Sequence, residues 1–167
     1  MKKILTNMTL LFAVMMCFTS CKKEEEIDLS EIATNLAGDW QGTIQEYKRY
    51  GDVGNDYRVN DDEKWVVLRF NKTHETGGNG YQVEFKNSYM ADIPGNDAKN
   101  EFTWLVTKGQ IKITYKTWDA VYFNFDSNNQ PTPNRFWGEC YVTSQKYMYR
   151  FNYTKTTFND WGKYFNI

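Results

Sequence analysis

Apolar and polar residues alternate in several short runs of this sequence, and the alternation constrains the fold more than any other feature. Phe102, Trp104 and Val106 share one face of such a run, and Ile111 and Ile113 repeat the pattern in the next. A period of two residues is typical of a strand with one buried face. Because no helix-spaced apolar pattern separates the runs, a parallel α/β sheet is not expected. The strand-like runs are 39–49, 64–71, 80–86, 101–107, 110–116, 120–126, 135–143 and 146–155.

Turn-forming residues separate these runs. They include the segment 94–97, Lys108-Gly109 and the glycine-rich segment 77–80, which is predicted as a turn. Eight short strands joined mostly by tight turns indicate an antiparallel up-and-down meander, and closure into a barrel would remove its exposed edges. We therefore predict an all-β, eight-stranded barrel over residues 28–167.

Two further elements are predicted in the sequence, one before the first strand and one after the last. Asp28 and Glu31 have the spacing of a capping box, which predicts a short helix over residues 27–35. The tail 156–167 carries four aromatic residues whose spacing fits one helical stripe. We expect a short helix or arm that packs on the barrel, because exposing these side chains to water would be unfavourable. A partner-docking arm is the alternative.

The N-terminus has the pattern of a secretory leader. Lys2-Lys3 precedes an apolar run from Leu10 to Phe18, and Thr19-Ser20 leads directly to Cys21. The run is too short to span a bilayer unaided. A cysteine at this point resembles the lipobox of bacterial lipoproteins. The resemblance implies that residues 1–20 are a signal peptide, that Cys21 is acylated, and that the membrane is a partner through this anchor.

A charged segment, Lys22-Lys23-Glu24-Glu25-Glu26, follows the cysteine. Such a block stays solvated, so residues 21–27 are predicted to be a lipidated, charged tether. Acidic residues behind a lipidated cysteine also resemble the surface-export signal of some Gram-negative lipoproteins. The resemblance implies an outer-membrane lipoprotein that faces either the periplasm or the cell surface.

Charge and cysteine content exclude some functions. Removal of residues 1–20 takes away two lysines. The remaining chain has 18 basic and 21 acidic residues, so its formal charge is −3. A nucleic-acid-binding protein is expected to carry a basic surface, which this negative net charge does not support. Cys140 is the one cysteine outside the leader and the anchor, so no disulfide forms within the domain. It lies in an apolar strand pattern, which favours a buried, inert thiol over a nucleophile.

The segment Gly38-Asp39-Trp40 opens the first predicted strand, directly after the predicted helix. It resembles the first signature of the lipocalins, as Phe102-Thr103-Trp104 and Ile111 to Tyr115 resemble strands of bacterial lipocalin-like lipoproteins. The resemblance implies a lipocalin-like barrel in which Gly38 and Trp40 close one end. It also implies an arginine of the last strand over that tryptophan, for which Arg150 is the candidate. The family's second signature, a Thr-Asp-Tyr loop, is missing.

Catalytic and metal-binding patterns are weak. His74 is the only histidine and lies beside a glycine-rich segment, which indicates a solvated loop rather than a triad or zinc ligand. The acidic run 61–63 lacks EF-hand spacing and is interpreted as a polar loop. Paired carboxylates could come from Glu84, Glu101 or Glu139, but each is predicted to face outward. We expect no enzyme, no cofactor and no metal.

Two functions follow from these patterns. The first is a membrane-anchored, non-catalytic binding module that holds a small apolar or amphipathic ligand inside the barrel. An eight-stranded barrel can hold one small ligand or be filled by its own side chains, so the same residues could simply form the core. The predicted lining residues are Trp104, Tyr115, Phe123, Tyr149 and Phe151.

The alternative is a surface module, in the form of a β-sandwich, that binds a glycan or a protein. Aromatic residues make up 17% of the chain, which is more than one core needs. Exposed aromatic side chains in a row would stack on sugars or anchor a partner. The candidates are Trp118, Trp137, Trp161, Tyr50 and Tyr57.

Overall fold

The structure, a computed structural model, describes residues 27–49, 57–85, 98–116, 119–142 and 147–167. The predicted leader, Cys21 and most of the tether lie outside these residues. Eight antiparallel strands form one closed barrel in sequence order, with a short helix before it and another after it. The elements are α1 (Leu29–Leu36), β1 (Gly38–Arg49), β2 (Tyr57–His74), β3 (Gly77–Phe85), β4 (Ala98–Thr107), β5 (Gln110–Tyr115), β6 (Val121–Asn124), β7 (Arg135–Val142), β8 (Tyr147–Thr156) and α2 (Trp161–Tyr164).

The first strand closes the barrel by pairing with both β2 and β8. Trp40 lies opposite Leu68 of β2 and Lys155 of β8. This pairing confirms the predicted up-and-down barrel and excludes the β-sandwich. No helix of the described part of the chain has the length and apolarity needed to cross a membrane.

The glycine-rich segment at 77–80 belongs to β3, so its prediction as a turn was wrong. The turn lies at residues 75–76. Gly80 is opposite Phe102 of β4, and a Cβ atom on Gly80 would lie 2.4 Å from the Phe102 ring. Glycine is therefore needed here because an aromatic ring packs directly on the strand backbone, and not because the chain reverses.

Helix α1 covers one end of the barrel, which we call the closed end. The Asp28 side chain caps it by accepting hydrogen bonds from the backbone N–H groups of Ser30 and Glu31, at 2.9 and 3.2 Å. Ile32, Ala33 and Leu36 are buried in the main core. Gly38, with φ of 110°, then turns the chain from the helix into β1.

Trp40 fills the closed end. Its side chain is fully buried, and its Nε1 donates a hydrogen bond to the Leu36 carbonyl at 2.7 Å. The cation over its ring is Lys155, whose Nζ lies 4.3 Å from the ring centroid and also donates to the carbonyls of Asn35 and Ala37. The prediction of Arg150 for this place was wrong. Arg150 is exposed and pairs with Glu139, because β8 places it opposite Gln45 rather than Trp40.

The C-terminal tail packs on the outside of the barrel, as predicted. It covers an apolar patch of β2 and β3 that contains Val67, Val83 and Phe85. Trp161 is only 3% exposed in this cluster, so its prediction as an exposed surface aromatic was wrong. We call residues 157–167 the C-terminal arm. Its contacts also include Phe158, Tyr164 and Phe165.

A buried carboxylate ties the arm to the barrel. Asp39 accepts hydrogen bonds from Arg69 Nε and Nη2 at 2.6 and 2.9 Å, and from the Phe158 backbone N–H at 3.0 Å. The Arg69 guanidinium also lies over the Trp161 ring, 5.0 Å from its centroid. Burial raises the pKa of Asp39, but these hydrogen bonds outweigh burial and leave the pKa below its ordinary value.

Candidate functional site

The inner surface of the barrel differs between its two ends. At the closed end, the inner side chains are tightly packed aromatic and aliphatic groups around Trp40 and Phe136. At the opposite end, which we call the far end, β3, β5 and β7 end and the inner residues Ile44, Val121 and Tyr149 are only partly buried. Solvent therefore reaches apolar inner surface at the far end.

All five predicted lining residues have their side chains on inner faces. Phe123 and Phe151 contact each other edge to face, with ring centroids 4.8 Å apart. The Tyr115 ring packs edge to face on the Phe102 ring, with centroids 5.8 Å apart. Tyr149 is the one of the five that is partly exposed.

Trp104 lies apart from the other four, in the closed half of the barrel. Its ring packs edge to face on the Phe70 ring, with centroids 5.4 Å apart. Its Nε1 donates a hydrogen bond of 3.0 Å to the Asn79 carbonyl. With its side chain 2% exposed and its one polar atom engaged, Trp104 serves as a core residue here.

Polar side chains also point into the barrel, on β2 to β5. Val66, Leu68 and Phe70 of β2 belong to the main core, and strand alternation therefore turns Lys64 inward as well. The same alternation, with the cross-strand pairs, places four polar residues of β3, β4 and β5 inside. We call this set the inner polar cluster: Lys64, Gln82, Glu84, Asn100 and Tyr115.

Lys64 and Glu84 form an ion pair within this cluster. Lys64 Nζ lies 2.6 Å from Glu84 Oε1, and the two side chains are 50% and 17% exposed. The prediction that Glu84 faces outward was wrong, because Glu84 is paired with the inward-facing Val66. Glu101 and Glu139 do lie on the outer surface, where each is exposed.

The pattern in β3 explains why sequence reasoning missed Glu84. The apolar residues Tyr81, Val83 and Phe85 face outward, where the C-terminal arm covers them. In this strand the usual assignment of apolar side chains to the barrel interior is therefore reversed. The aromatic tail was the available signal, since it required an apolar surface on which to pack.

Three neutral side chains complete the inner polar cluster. The Tyr115 hydroxyl donates to Gln82 Oε1, and burial raises the pKa of Tyr115, so the hydroxyl stays protonated. The side-chain nitrogen of Asn100 is buried and has no hydrogen-bond acceptor among the described residues. An unsatisfied buried donor costs about 1–3 kcal/mol, and a ligand oxygen could remove that cost.

Cys140 lies on the inner face of β7, opposite Phe123 and Tyr149. It is 1% exposed, as the apolar strand pattern predicted. Burial raises the pKa of its thiol well above the ordinary value, so the reactive thiolate is not formed near neutral pH. Within the described ranges, no group of three or more His, Cys, Asp or Glu side chains could hold a metal ion.

The outer surface offers less support for a row of exposed aromatic residues. Trp137 is 39% exposed, and the Arg135 guanidinium lies over its ring at 5.1 Å. Trp161 is covered by the arm, as described above. Trp118, Tyr50 and the side chain of Tyr57 lie outside the described part of the structure.

A scan against protein-family models finds no match for this sequence, and a search of curated proteins finds no similar sequence. The chemistry of the barrel's inner surface is therefore the basis for assigning a function.

Proposed function

We propose that this protein is a membrane-anchored, lipocalin-like lipoprotein whose barrel binds a small apolar or amphipathic ligand at its far end, as a non-catalytic binding module. The inner polar cluster is the observation that carries the proposal. A barrel interior built only for stability is expected to be apolar or fully hydrogen-bonded. Here the inner surface combines an ion pair, an amide N–H donor that has no acceptor among the described residues, and partly exposed apolar residues.

This combination suits an amphipathic ligand. Ile44, Val121 and Tyr149 offer apolar contacts, while Lys64, Asn100 and their neighbours offer hydrogen bonds. Small-molecule sites typically combine a mostly apolar lining with a few polar groups that orient the ligand. The closed end, filled by Trp40, would limit how deeply the ligand enters.

Ligand binding can be tested by displacement of a neutral naphthylamine dye whose fluorescence rises in apolar surroundings. We expect the dye to bind with a stoichiometry of one, and long-chain amphiphiles to displace it. Val121→Trp should abolish dye binding, because the larger side chain would occupy the space inside the barrel at the far end.

Two tryptophan controls separate an inner site from an outer one. Thr114→Trp adds the same ring to an exposed outer position of β5, and Trp137→Ala removes the exposed outer tryptophan. Both variants should bind the dye as the native protein does. Dye binding that survives Val121→Trp but is lost in Trp137→Ala would contradict an inner site and favour a surface module.

The surface module is the second candidate, and the exposed Trp137 with Arg135 over its ring supports it. An aromatic ring of this kind can stack on a sugar or anchor a protein partner. Trp137 is the one exposed tryptophan among the described residues. One such ring makes a smaller binding surface than a row of rings would, so the inner site is favoured.

For the anchor, we predict that Cys21→Ser yields a soluble or unprocessed protein with an unchanged barrel. The motivation is the lipobox-like sequence, because lipid attachment through a thioether requires the Cys21 thiol. Membrane fractionation and the mass of the mature N-terminus measure the effect. Recovery of processed Cys21→Ser in the membrane fraction at the native level would refute lipidation.

The proposed location is the outer membrane, with either the periplasm or the cell surface as the compartment. The acidic residues Glu24 to Glu26 behind the anchor motivate the surface alternative. Protease treatment of intact cells distinguishes the two, because only a surface-exposed barrel is degraded.

A further inference from the structure

We propose that the inner polar cluster selects ligands whose polar end is an uncharged hydrogen-bonding group, such as a primary amide or an alcohol, over ligands that end in a carboxylate or an ammonium group. This inference rests on the proposed function, since it concerns the same inner surface. It is carried by the Lys64–Glu84 ion pair and by the Asn100 amide donor, which has no acceptor within the described part of the chain, on neighbouring strands.

The strand register brings these groups together. Gln82 lies opposite Leu68 on one side and Asn100 on the other, and Glu84 lies opposite Val66. Asn100 is therefore diagonal to Glu84 on the same inner face, at a cross-strand spacing of about 7–8 Å. One small polar group could contact both side chains.

The ion pair disfavours a charged ligand. Lys64 and Glu84 neutralise each other, with Lys64 Nζ 2.6 Å from Glu84 Oε1. Among the described residues, these two are the charged side chains on the inner faces toward the far end. A ligand carboxylate would lie beside Glu84 and compete with it for Lys64, whereas a ligand ammonium would lie beside Lys64. Either ion would lose water without gaining a free counter-ion among the described residues, which is unfavourable in a partly buried site.

The hydrogen-bonding groups favour an uncharged polar end. The Asn100 amide nitrogen lacks an acceptor among the described residues, and a ligand carbonyl or hydroxyl oxygen would supply one. The Glu84 carboxylate accepts from Lys64 through Oε1 and has lone pairs left for a ligand N–H or O–H. A primary amide can satisfy both groups through its carbonyl oxygen and its N–H, and an alcohol can do so through its hydroxyl, which donates and accepts at the same time.

The test compares four ligands of equal chain length as competitors of the neutral dye at about pH 7: dodecanamide, dodecanol, dodecanoate and dodecylammonium. With the native protein, dodecanamide and dodecanol should bind at least about tenfold more tightly than either ion, the size of one net hydrogen bond. Asn100→Leu should weaken binding of dodecanamide and dodecanol, because the donor to the ligand oxygen is lost, while binding of dodecane should change little.

Neutralising one partner of the ion pair should reduce the preference, and each substitution should do so for one ion only. Glu84→Gln frees Lys64, so dodecanoate should gain about tenfold in affinity while dodecanamide changes little. Lys64→Gln should improve binding of dodecylammonium in the same way. A role of the pair in stability alone would not produce these opposite changes.

Glu101→Gln is the matched control. Glu101 forms a similar pair with Lys116, at 2.5 Å, but on the outer surface of the neighbouring strands. This variant should leave the affinities of all four ligands unchanged.

Two failures have different meanings. If native protein binds dodecanoate as tightly as dodecanamide, or if Glu84→Gln does not improve dodecanoate binding, the selection of uncharged groups is refuted while ligand binding stands. If neither the dye nor any of the four ligands binds, the proposed function is refuted together with this inference.

Discussion

Replacing Trp40 with alanine is expected to lower the free energy of unfolding by about 3–5 kcal/mol, as for other buried aromatic residues. The ring is fully buried, packs edge to face with Phe136 at 6.2 Å, and lies beneath the Lys155 ammonium. The substitution would also remove the hydrogen bond to the Leu36 carbonyl, which joins helix α1 to the barrel. Chemical denaturation of a form that begins at residue 22 would measure the loss.

Trp137→Ala is the matched control for this experiment. Trp137 is also a strand tryptophan with a cation over its ring, but it is 39% exposed. Its removal should cost no more than about 1 kcal/mol, the typical value of an exposed cation–π contact. Equal losses for the two tryptophans would contradict the role of Trp40 as the residue that fills the closed end.

Ending the chain after Lys155 is expected to lower the free energy of unfolding by roughly 4–6 kcal/mol, given about 1.5–3 kcal/mol for each large apolar side chain that is removed from burial. The truncation takes away Trp161 and its aromatic neighbours and exposes Val67, Val83 and Phe85 to water. Urea denaturation would measure the loss. Exposure of this patch should also increase aggregation.

A shorter deletion tests whether the packed aromatic residues are responsible. Removal of Asn166 and Ile167 alone should leave stability nearly unchanged, because both residues are exposed. If the chain that ends at Lys155 unfolds at the same urea concentration as the complete chain, the arm does not stabilise the barrel, and a partner-docking arm becomes the better interpretation.

The contribution of the arm should depend on pH through Asp39. The folded-state pKa of Asp39 lies below the ordinary value of 3.8. Its stabilising effect is therefore complete above that ordinary value and is lost as the pH falls through the lower folded-state pKa. The stability difference between complete and truncated chains should shrink in acid, and Asp39→Asn should remove this dependence.

Local signals in the sequence predicted most of the secondary structure. The alternation in 101–107 and 110–116 predicted β4 and β5, whose observed bounds are Ala98–Thr107 and Gln110–Tyr115. Asp28 caps α1 as its spacing with Glu31 predicted, although the helix runs from Leu29 to Leu36. These signals could be read because turns, caps and strand alternation depend on residues close together in the chain.

Contacts between distant strands could not be predicted in the same way. Lys155 rather than Arg150 lies over Trp40, because the register of β1 with β8 places Lys155 opposite that ring. A register is a relation between two segments far apart in sequence. Alternation within either strand gives no information about how far one is shifted along the other.

By itself, the sequence determined that this protein is an all-β barrel with Trp40 buried at the start of the first strand. Only the tertiary structure decided which face of β3 is the inner one. Val83 and Phe85 face outward because the C-terminal arm covers them, and this leaves Gln82 and Glu84 inside. The physical reason is that alternation defines two faces of a strand, but the elements that pack on each face determine which of them lines the barrel.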